Sequence, residues 1–423
     1  MKKATYVLAG MLFIFPVSSM MANEIKNYTV EEAVNGIKEN DITTKITAAK
    51  PKLSDETKPY QGKFSDELEV IQDKQVEYQD LITKLQSEMT AYQVLYNYWL
   101  AEESLKLQEK NVAQTENELE VVKKKLGEGV ASELDRLNAE ISLNNAKASY
   151  EETLQGANQA KYQLNQSLGN DFNEEIALQT TIKDPVFQYV PKYMYETSEI
   201  LPNVLKDHPS LSVVQTTVTQ YEEIVDDSDN LSVLGGSTYK DNIEGLEEQI
   251  DNTQSQLIIL EYKKAQGTIT PAEEATLAQL PGTLISLINQ LDNLEDDYDD
   301  AQDDRNQAED ELKEYYEEEL AETKLQLEQK QQQLELIVYN YEERFDRSRE
   351  KISLYSENVQ KTYTLYDKYY KMFEQGMMTS TELEKIRMNL LNTNLQLQAA
   401  KKDYILLQKE FELFKQGYLP KGF

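Results

Sequence analysis

Cysteine is absent from the 423 residues, and histidine and tryptophan occur once each. Without cysteine there are no disulfides, no thiolate metal sites and no thiol nucleophile. The lone His208 stands beside Pro209 at a helix start, where it reads as a turn residue rather than a base. Glycine (15) and proline (10) are scarce, so helices can run far without a breaker. Cations are in the minority: 43 Lys and Arg against 76 Asp and Glu, a formal net charge of −33. A surface of that sign repels phosphates and argues against nucleic acid as a partner. No Walker loop, dinucleotide fingerprint or G-x-S-x-G elbow occurs. The stretch closest to a calcium loop, Asp226-Asp227-Ser228-Asp229-Asn230, lacks its glycine and closing glutamate. These absences predict a protein that is not an enzyme and that needs no cofactor and no metal.

Long apolar runs are also missing, with one exception at the start. Lys2 and Lys3 precede an apolar run from Val7 to Val17, followed by Ser18, Ser19 and Ala22. This layout predicts a secretory signal peptide over residues 1–22, cleaved between Ser19 and Ala22. The run is too short for a spanning helix, and no cysteine follows it to take a lipid anchor.

What is present is a stripe of period seven. Leu105, Val112, Leu119 and Leu126 recur at that spacing, as do Ile352, Val359, Tyr366 and Phe373. Leu320, Leu327, Leu334 and Tyr341 lead into the second series. Apolar residues at this interval keep one seam turned toward a partner helix in a left-handed supercoil. The first long helix is expected over about 66–126, roughly 90 Å at 1.5 Å per residue. A rod of that length needs a partner along its whole seam. Tyr355, Tyr363, Tyr366, Tyr369 and Tyr370 are expected to pack in the seam rather than line a tunnel.

Both long helices end in the same kind of break. The first passes through Gly127 and Gly129 to Ser132 and Asp135; the second passes through Gly376 to Thr379 and Glu382. Glycine supplies the left-handed residue that ends a helix, and Ser132 or Thr379 caps the next with an acid three residues on. Gly376 lies 247 residues after Gly129, and the same offset carries the whole Leu105 series onto the Ile352 series and Asn111 onto Asn358. One helix-turn-helix unit occurs twice. Shorter segments, from Thr29-Val30-Glu31-Glu32-Ala33 and from Thr197-Ser198-Glu199-Ile200-Leu201, open the two halves. The expected plan is a first repeat over 23–168, a linker over 169–192 holding Pro185 and Pro191, and a second repeat over 193–423.

These residues resemble the TolC-like outer-membrane efflux protein family. Its members open each half with a T-x-E-E-A helix and turn at G-x-x-S-x-x-D-x-L-x-A-E. Gly129, Ser132, Asp135, Leu137, Ala139 and Glu140 match that turn, with Arg136 where the family favours an aliphatic residue. The L-N-Q-S-L-G of residues 164–169 is similar to the family's close of a first half. In the second half Gly376, Thr379 and Glu382 match, while the downstream D-x-L-x-A is lost. The resemblance implies an α-barrel protomer, a homotrimer, and turns at Gly127, Gly129, Ser132, Gly376 and Thr379 that dock a periplasmic adaptor of an inner-membrane pump. It would put Asp135 and Glu382 near the constricted end, although completing the caps already accounts for their spacing.

The family's membrane strands have no evident counterpart. Their first slot, over 50–65, is too short and polar; in the second, only residues 231–239 look faintly strand-like. An acidic helical insertion fills about 226–320: a helix over 241–266, a break at Gly267, a short helix to Leu280, and a new start at Pro281-Gly282. Acids crowd residues 291–320 against only Arg305 and Lys313, which reads as a solvated face. The fold class is therefore all-α: long antiparallel coiled-coil hairpins in two tandem repeats, without an evident β-barrel. Two functions fit: the exit conduit of an efflux or secretion system, or a barrel-less coiled-coil scaffold of the cell envelope.

Overall fold

The structure is a computed structural model that describes residues 26–40, 64–179, 187–227, 233 and 236–420. The expected signal peptide over 1–22 and Pro185 lie outside the described residues, as do residues 50–63 of the first slot searched for strands and residues 231, 232, 234 and 235 of the second. The described end of the strand-like stretch, 236–239, is helical. The elements are β1 (Lys26–Thr29), α1 (Val30–Asn40), α2 (Ser65–Gly127), α3 (Glu133–Leu168), β2 (Ile176–Gln179), α4 (Thr197–Asp207), α5 (Pro209–Asp227), α6 (Gly236–Ala265), α7 (Pro271–Glu374) and α8 (Ser380–Phe414). The expected long hairpins are present: α2 of 63 residues turns into α3, and α7 of 104 residues turns into α8.

The chain divides into two compact units, each drawing on both halves of the sequence. The first holds β1, α1, residues 80–202 and the chain from Ile337 onward; the second holds residues 203–336 with the start of α2.

In the first unit the sequence reading needs a correction, because two strands were not foreseen. β1 and β2 pair in parallel, Lys26 opposite Ile176 and Thr29 opposite Gln179, so part of the expected linker is sheet. Four-residue strands leave too little alternation to read from sequence. The fully buried Asn165 fixes this region by donating to the carbonyl oxygens of Phe172 and Glu174, both at 2.9 Å. α1 lays Ala33, Val34 and Ile37 against Leu95, Leu164 and Leu168. Its start is a capping box between Thr29 and Glu32. At the corresponding Thr197 the carboxylate comes instead from Glu342 of α7, which accepts from the Thr197 N–H at 3.0 Å. The adjoining Tyr195 stacks on Phe345 with centroids 4.6 Å apart and donates to Asp346.

In the second unit Phe64, Ile224 and Tyr316 form a small core. His208 is a turn residue: its Nδ1 lies 2.7 Å from the Ser210 hydroxyl and accepts from the Ser210 N–H at the start of α5. α6 and the beginning of α7 make an antiparallel hairpin around Gly267. Lys263 pairs with Glu273 at 2.7 Å beside the turn, and Tyr239 meets Tyr298 at 5.7 Å far from it, both pairs centring next to Thr268. α7 also corrects the expected break at Pro281-Gly282, since the helix runs through it. Proline costs a helix interior about 3 kcal/mol. Here Leu277, Leu280, Leu284, Leu287 and Leu291 keep one continuous inward stripe across the proline, and that packing outweighs the lost hydrogen bond.

Candidate functional site

The two glycine turns meet in the first unit. At the first, Gly129 has φ +75°, its N–H reaches the Leu126 carbonyl at 3.0 Å, and the Val130 N–H reaches Lys125 at 2.8 Å. At the second, Gly376 has φ +75°, and the same two bonds join Gly376 to Phe373 and Met377 to Met372. Both are Schellman endings, which need a residue in the left-handed region. Gly127 is different: it is the last residue of α2 and has no positive φ. A Cβ placed on Gly376 would lie 3.4 Å from a methyl of Val130, so the bends of the two repeats touch.

The restarts are also alike. Ser132 caps α3: its hydroxyl accepts from the Asp135 N–H, while one Asp135 oxygen takes the Ser132 N–H at 2.8 Å and the Ser132 hydroxyl at 2.7 Å. Thr379 and Glu382 repeat the arrangement at α8, at 3.0 and 2.8 Å. The Ser132 side chain and backbone hold the Asp135 carboxyl below the usual carboxylate range, with Lys125 adding to the effect. The Thr379 backbone and hydroxyl do the same for Glu382. The capping geometry is present, then, and both acids are engaged in it.

Above the turns the four helices share one core. Leu119 and Val122 of α2, Ala139 of α3, Tyr366 and Phe373 of α7, and Leu383 and Leu390 of α8 pack together, with Tyr369 and Tyr370 partly buried against them. Tyr363, expected in the seam, is exposed. Lys125 links the hairpins at the bends: its ammonium donates to the Phe373 carbonyl and sits 4.1 Å above the Phe373 ring. Burial pushes this ammonium down from its ordinary range.

Sequence reasoning missed the residue at the centre of this core. Arg387 of α8 is 2% exposed and bonds two other helices at once. It pairs with Glu118 of α2 at 3.2 Å, reaches Asn111 of α2, and donates to Ser142 of α3 at 3.1 Å. Tyr366 of α7 donates to Glu118 at 3.2 Å, closing a network over all four helices. Burial pushes the Glu118 carboxyl up, against the opposing pull of Arg387 and Tyr366. The Leu105 series is half-buried except for Leu119; the deepest stripe of lower α2 is largely polar, with Gln108, Asn111, Thr115, Glu118 and Lys125. An arginine four residues after Leu383 and three before Leu390 was the available signal.

Part of the surface near the first turn is apolar. Val130, Leu134, Leu137 and Ile141 are exposed, and the last three recur along one face of α3. Among the described residues no three His, Asp or Glu side chains converge as a metal would require. No described helix is long and apolar enough to cross a membrane.

Two tandem helical hairpins with touching glycine turns define a class: the fold is that of TolC-like outer-membrane channels. The chain is similar in structure to CusC, a protein studied for folding and transmembrane channel formation, with TM-score 0.51, 10% identity and 91% of each chain covered. It is also similar to the CmeC outer membrane channel of Campylobacter jejuni, with TM-score 0.50, 12% identity, and 93% of this chain and 87% of that one covered. A membrane protein from Pseudomonas aeruginosa matches at TM-score 0.51 and 10% identity, over 93% of this chain and 91% of that one. No family model matches the sequence, and no curated protein matches it.

Proposed function

We propose that this chain is one subunit of a trimeric exit conduit of the cell envelope, serving an efflux or secretion system and catalysing nothing. The observation that carries the reading is the meeting of the two bends. Gly376 lies against Val130, and Arg387 joins both hairpins just above them. A duplicated pair of hairpins fixed at its bends is what a subunit contributes when copies close a tunnel around an axis.

In this reading the chain is exported by the segment over 1–22 and works in the outer membrane or periplasm. The turns at Gly127, Gly129, Ser132, Gly376 and Thr379 meet a periplasmic adaptor, which in turn meets an inner-membrane pump. The exposed Val130, Leu134, Leu137 and Ile141 give that adaptor an apolar surface to cover. Asp135 and Glu382, kept ionised by their caps, supply negative charge at the narrow end.

Native mass measurement of the purified chain, with imaging of its particles, tests the proposal. A hollow trimer is expected; a monomer or a solid rod overturns the conduit.

A further inference from the structure

Away from the glycine turns, the first unit holds a concave site that the conduit reading does not use. The chain from Gln188 to Met194 crosses α7 and α8, and a cavity of about 220 Å³ lies between them. The crossing chain is pinned on both sides of the opening. Val190 is buried and its N–H reaches the Tyr404 hydroxyl at 2.8 Å; Tyr195 is fully buried and stacks on Phe345. Packed walls therefore hold the space open. Phe345 and Phe411 form its floor, 0% and 3% exposed and meeting edge to face at 5.5 Å. Tyr189 and Met194, 38% and 41% exposed, stand at the mouth. An apolar, preformed hollow with few polar groups is the usual build of a small-molecule site.

Two charged residues line the cavity, and they are not alike. Glu412 is already engaged: one oxygen accepts from Gln408 at 3.1 Å and the other from Lys409 at 2.8 Å. Lys415 is exposed and has no carboxylate within ion-pair distance among the described residues; its ammonium rests 5.0 Å from the centre of the Phe411 ring. The aromatic faces are taken by cations as well, Phe411 by Lys415 and Tyr189 by Arg349 at 5.2 Å. A cationic ligand would meet both cations and find the carboxylate bonded, so the lining selects against it. A ring carrying one carboxylate covers the apolar floor and gives Lys415 its missing partner. Size narrows the class further. An apolar cavity of about 150 Å³ already takes benzene, so this one has room for a single ring and its substituent but not for a long acyl chain.

We propose that this cavity binds a small aromatic carboxylate, with its ring on Phe411 and Phe345 and its carboxylate on the Lys415 ammonium. The site goes beyond the conduit reading and does not depend on it. Its occupant ties the chain entering the second repeat to the last turn of α8, and binding stabilises that joint by mass action.

Benzoate, benzyl alcohol and benzylamine share a ring and differ in charge. Each is titrated into the full-length chain at neutral pH and followed by ligand-detected NMR, with decanoate as a competitor. Benzoate should bind saturably, one per chain, and about fivefold tighter than the other two, the scale of an exposed ion pair. Lys415→Gln, at an exposed position, should bring benzoate to the level of benzyl alcohol, while Lys402→Gln, on the same helix outside the cavity, should leave it unchanged. Met194→Trp should close the mouth and abolish binding of both. Absence of saturable binding overturns the site, and benzoate binding that survives both Lys415→Gln and Met194→Trp overturns its location. Equal affinity for the three compounds reduces the cavity to an apolar hollow without anion recognition, and a preference for benzylamine assigns it to cations at Glu412; either result overturns the proposal. Displacement of benzoate by decanoate at lower concentration assigns the hollow to acyl chains and overturns the aromatic class.

Discussion

The first and second glycine turns share a backbone and differ in their side chains. Gly129 and Gly376 have the same φ, the same pair of closing bonds, and the same type of capping box after them. Beyond the caps they diverge. The first restart shows an apolar face through Leu134, Leu137 and Ile141, whereas the second sends Arg387 into the core. The residue 247 positions before Arg387 is Glu140, which instead accepts from Arg136 on its own helix. Turning a helix back makes the same demands wherever it happens, so the turn chemistry is duplicated. The core between the hairpins holds matched residues such as Leu119 and Tyr366, but the Arg387–Glu118 pair within it has no counterpart in the other repeat, where Glu140 and Leu365 stand at those positions.

The sharpest way to break that comparison is to remove the side chain that only one repeat owns. Arg387→Ala leaves Glu118 buried without its cation, and breaking such a pair costs about 3–5 kcal/mol. The midpoint of denaturant or thermal unfolding should fall accordingly. Arg387→Met combined with Glu118→Leu removes both charges and should recover most of the loss. Equal damage in the double and single variants would mean that packing, rather than charge pairing, holds Arg387 in place. Glu140→Gln, at the matching position of the other repeat, is half-exposed and should change the midpoint by well under about 1 kcal/mol.

How far the sequence discloses this structure follows the same division. The turns are legible because their chemistry is local: a glycine, a hydroxyl three residues on and an acid three beyond that leave few other readings. The second heptad series is legible because Ile352, Tyr366 and Phe373 are both apolar and buried. The first series misleads, since burial on lower α2 falls on Asn111, Thr115 and Glu118, one step aside from the leucines. Polar residues are buried there only because a side chain 269 residues away supplies the partner, which no window on α2 contains. Pro281 misleads for a related reason: its local cost is visible, while the leucine stripe that outweighs it acts through α6. The pairing of β1 with β2 depends on contacts between the ends of a repeat, and four residues per strand carry no period to read.

The glycines give a smaller effect and sharpen the likeness of the turns. Gly129→Ala and Gly376→Ala both force a side chain into the left-handed region and should each cost about 1–2 kcal/mol. Gly127→Ala occupies a helical position with open space around its Cβ and should be neutral or stabilise by up to about 1 kcal/mol. Unfolding midpoints of the three variants check this. A loss at Gly127 equal to that at Gly129 would contradict the assignment of the left-handed residue to Gly129.

The caps give the smallest effect and one with a pH signature. Ser132→Ala and Thr379→Ala should each cost about 1 kcal/mol, measured as faster amide exchange at the first turns of α3 and α8. The partner acids Asp135 and Glu382 are held below their ordinary range, so each binds fewer protons folded than unfolded. Their contribution is complete above the unfolded value, near 4, and is lost as pH falls through the lowered folded value. Protection of the amides at both restarts, taken relative to the intrinsic exchange rate at each pH, should therefore fall below about pH 4 in the native chain, and the change should be smaller in Asp135→Asn and Glu382→Gln, which have no charge to lose. The two restarts should respond alike, because the bonds that lower both carboxyls come from the cap residue's own backbone and hydroxyl. Buried Glu118 should behave in the opposite sense, since its carboxyl is raised: what it contributes is complete below the unfolded value and is lost as pH rises through the folded one. Acid thus loosens the duplicated caps while easing the burial of the unduplicated carboxyl, and exchange measured separately at the two places distinguishes turn chemistry from core chemistry within one hairpin.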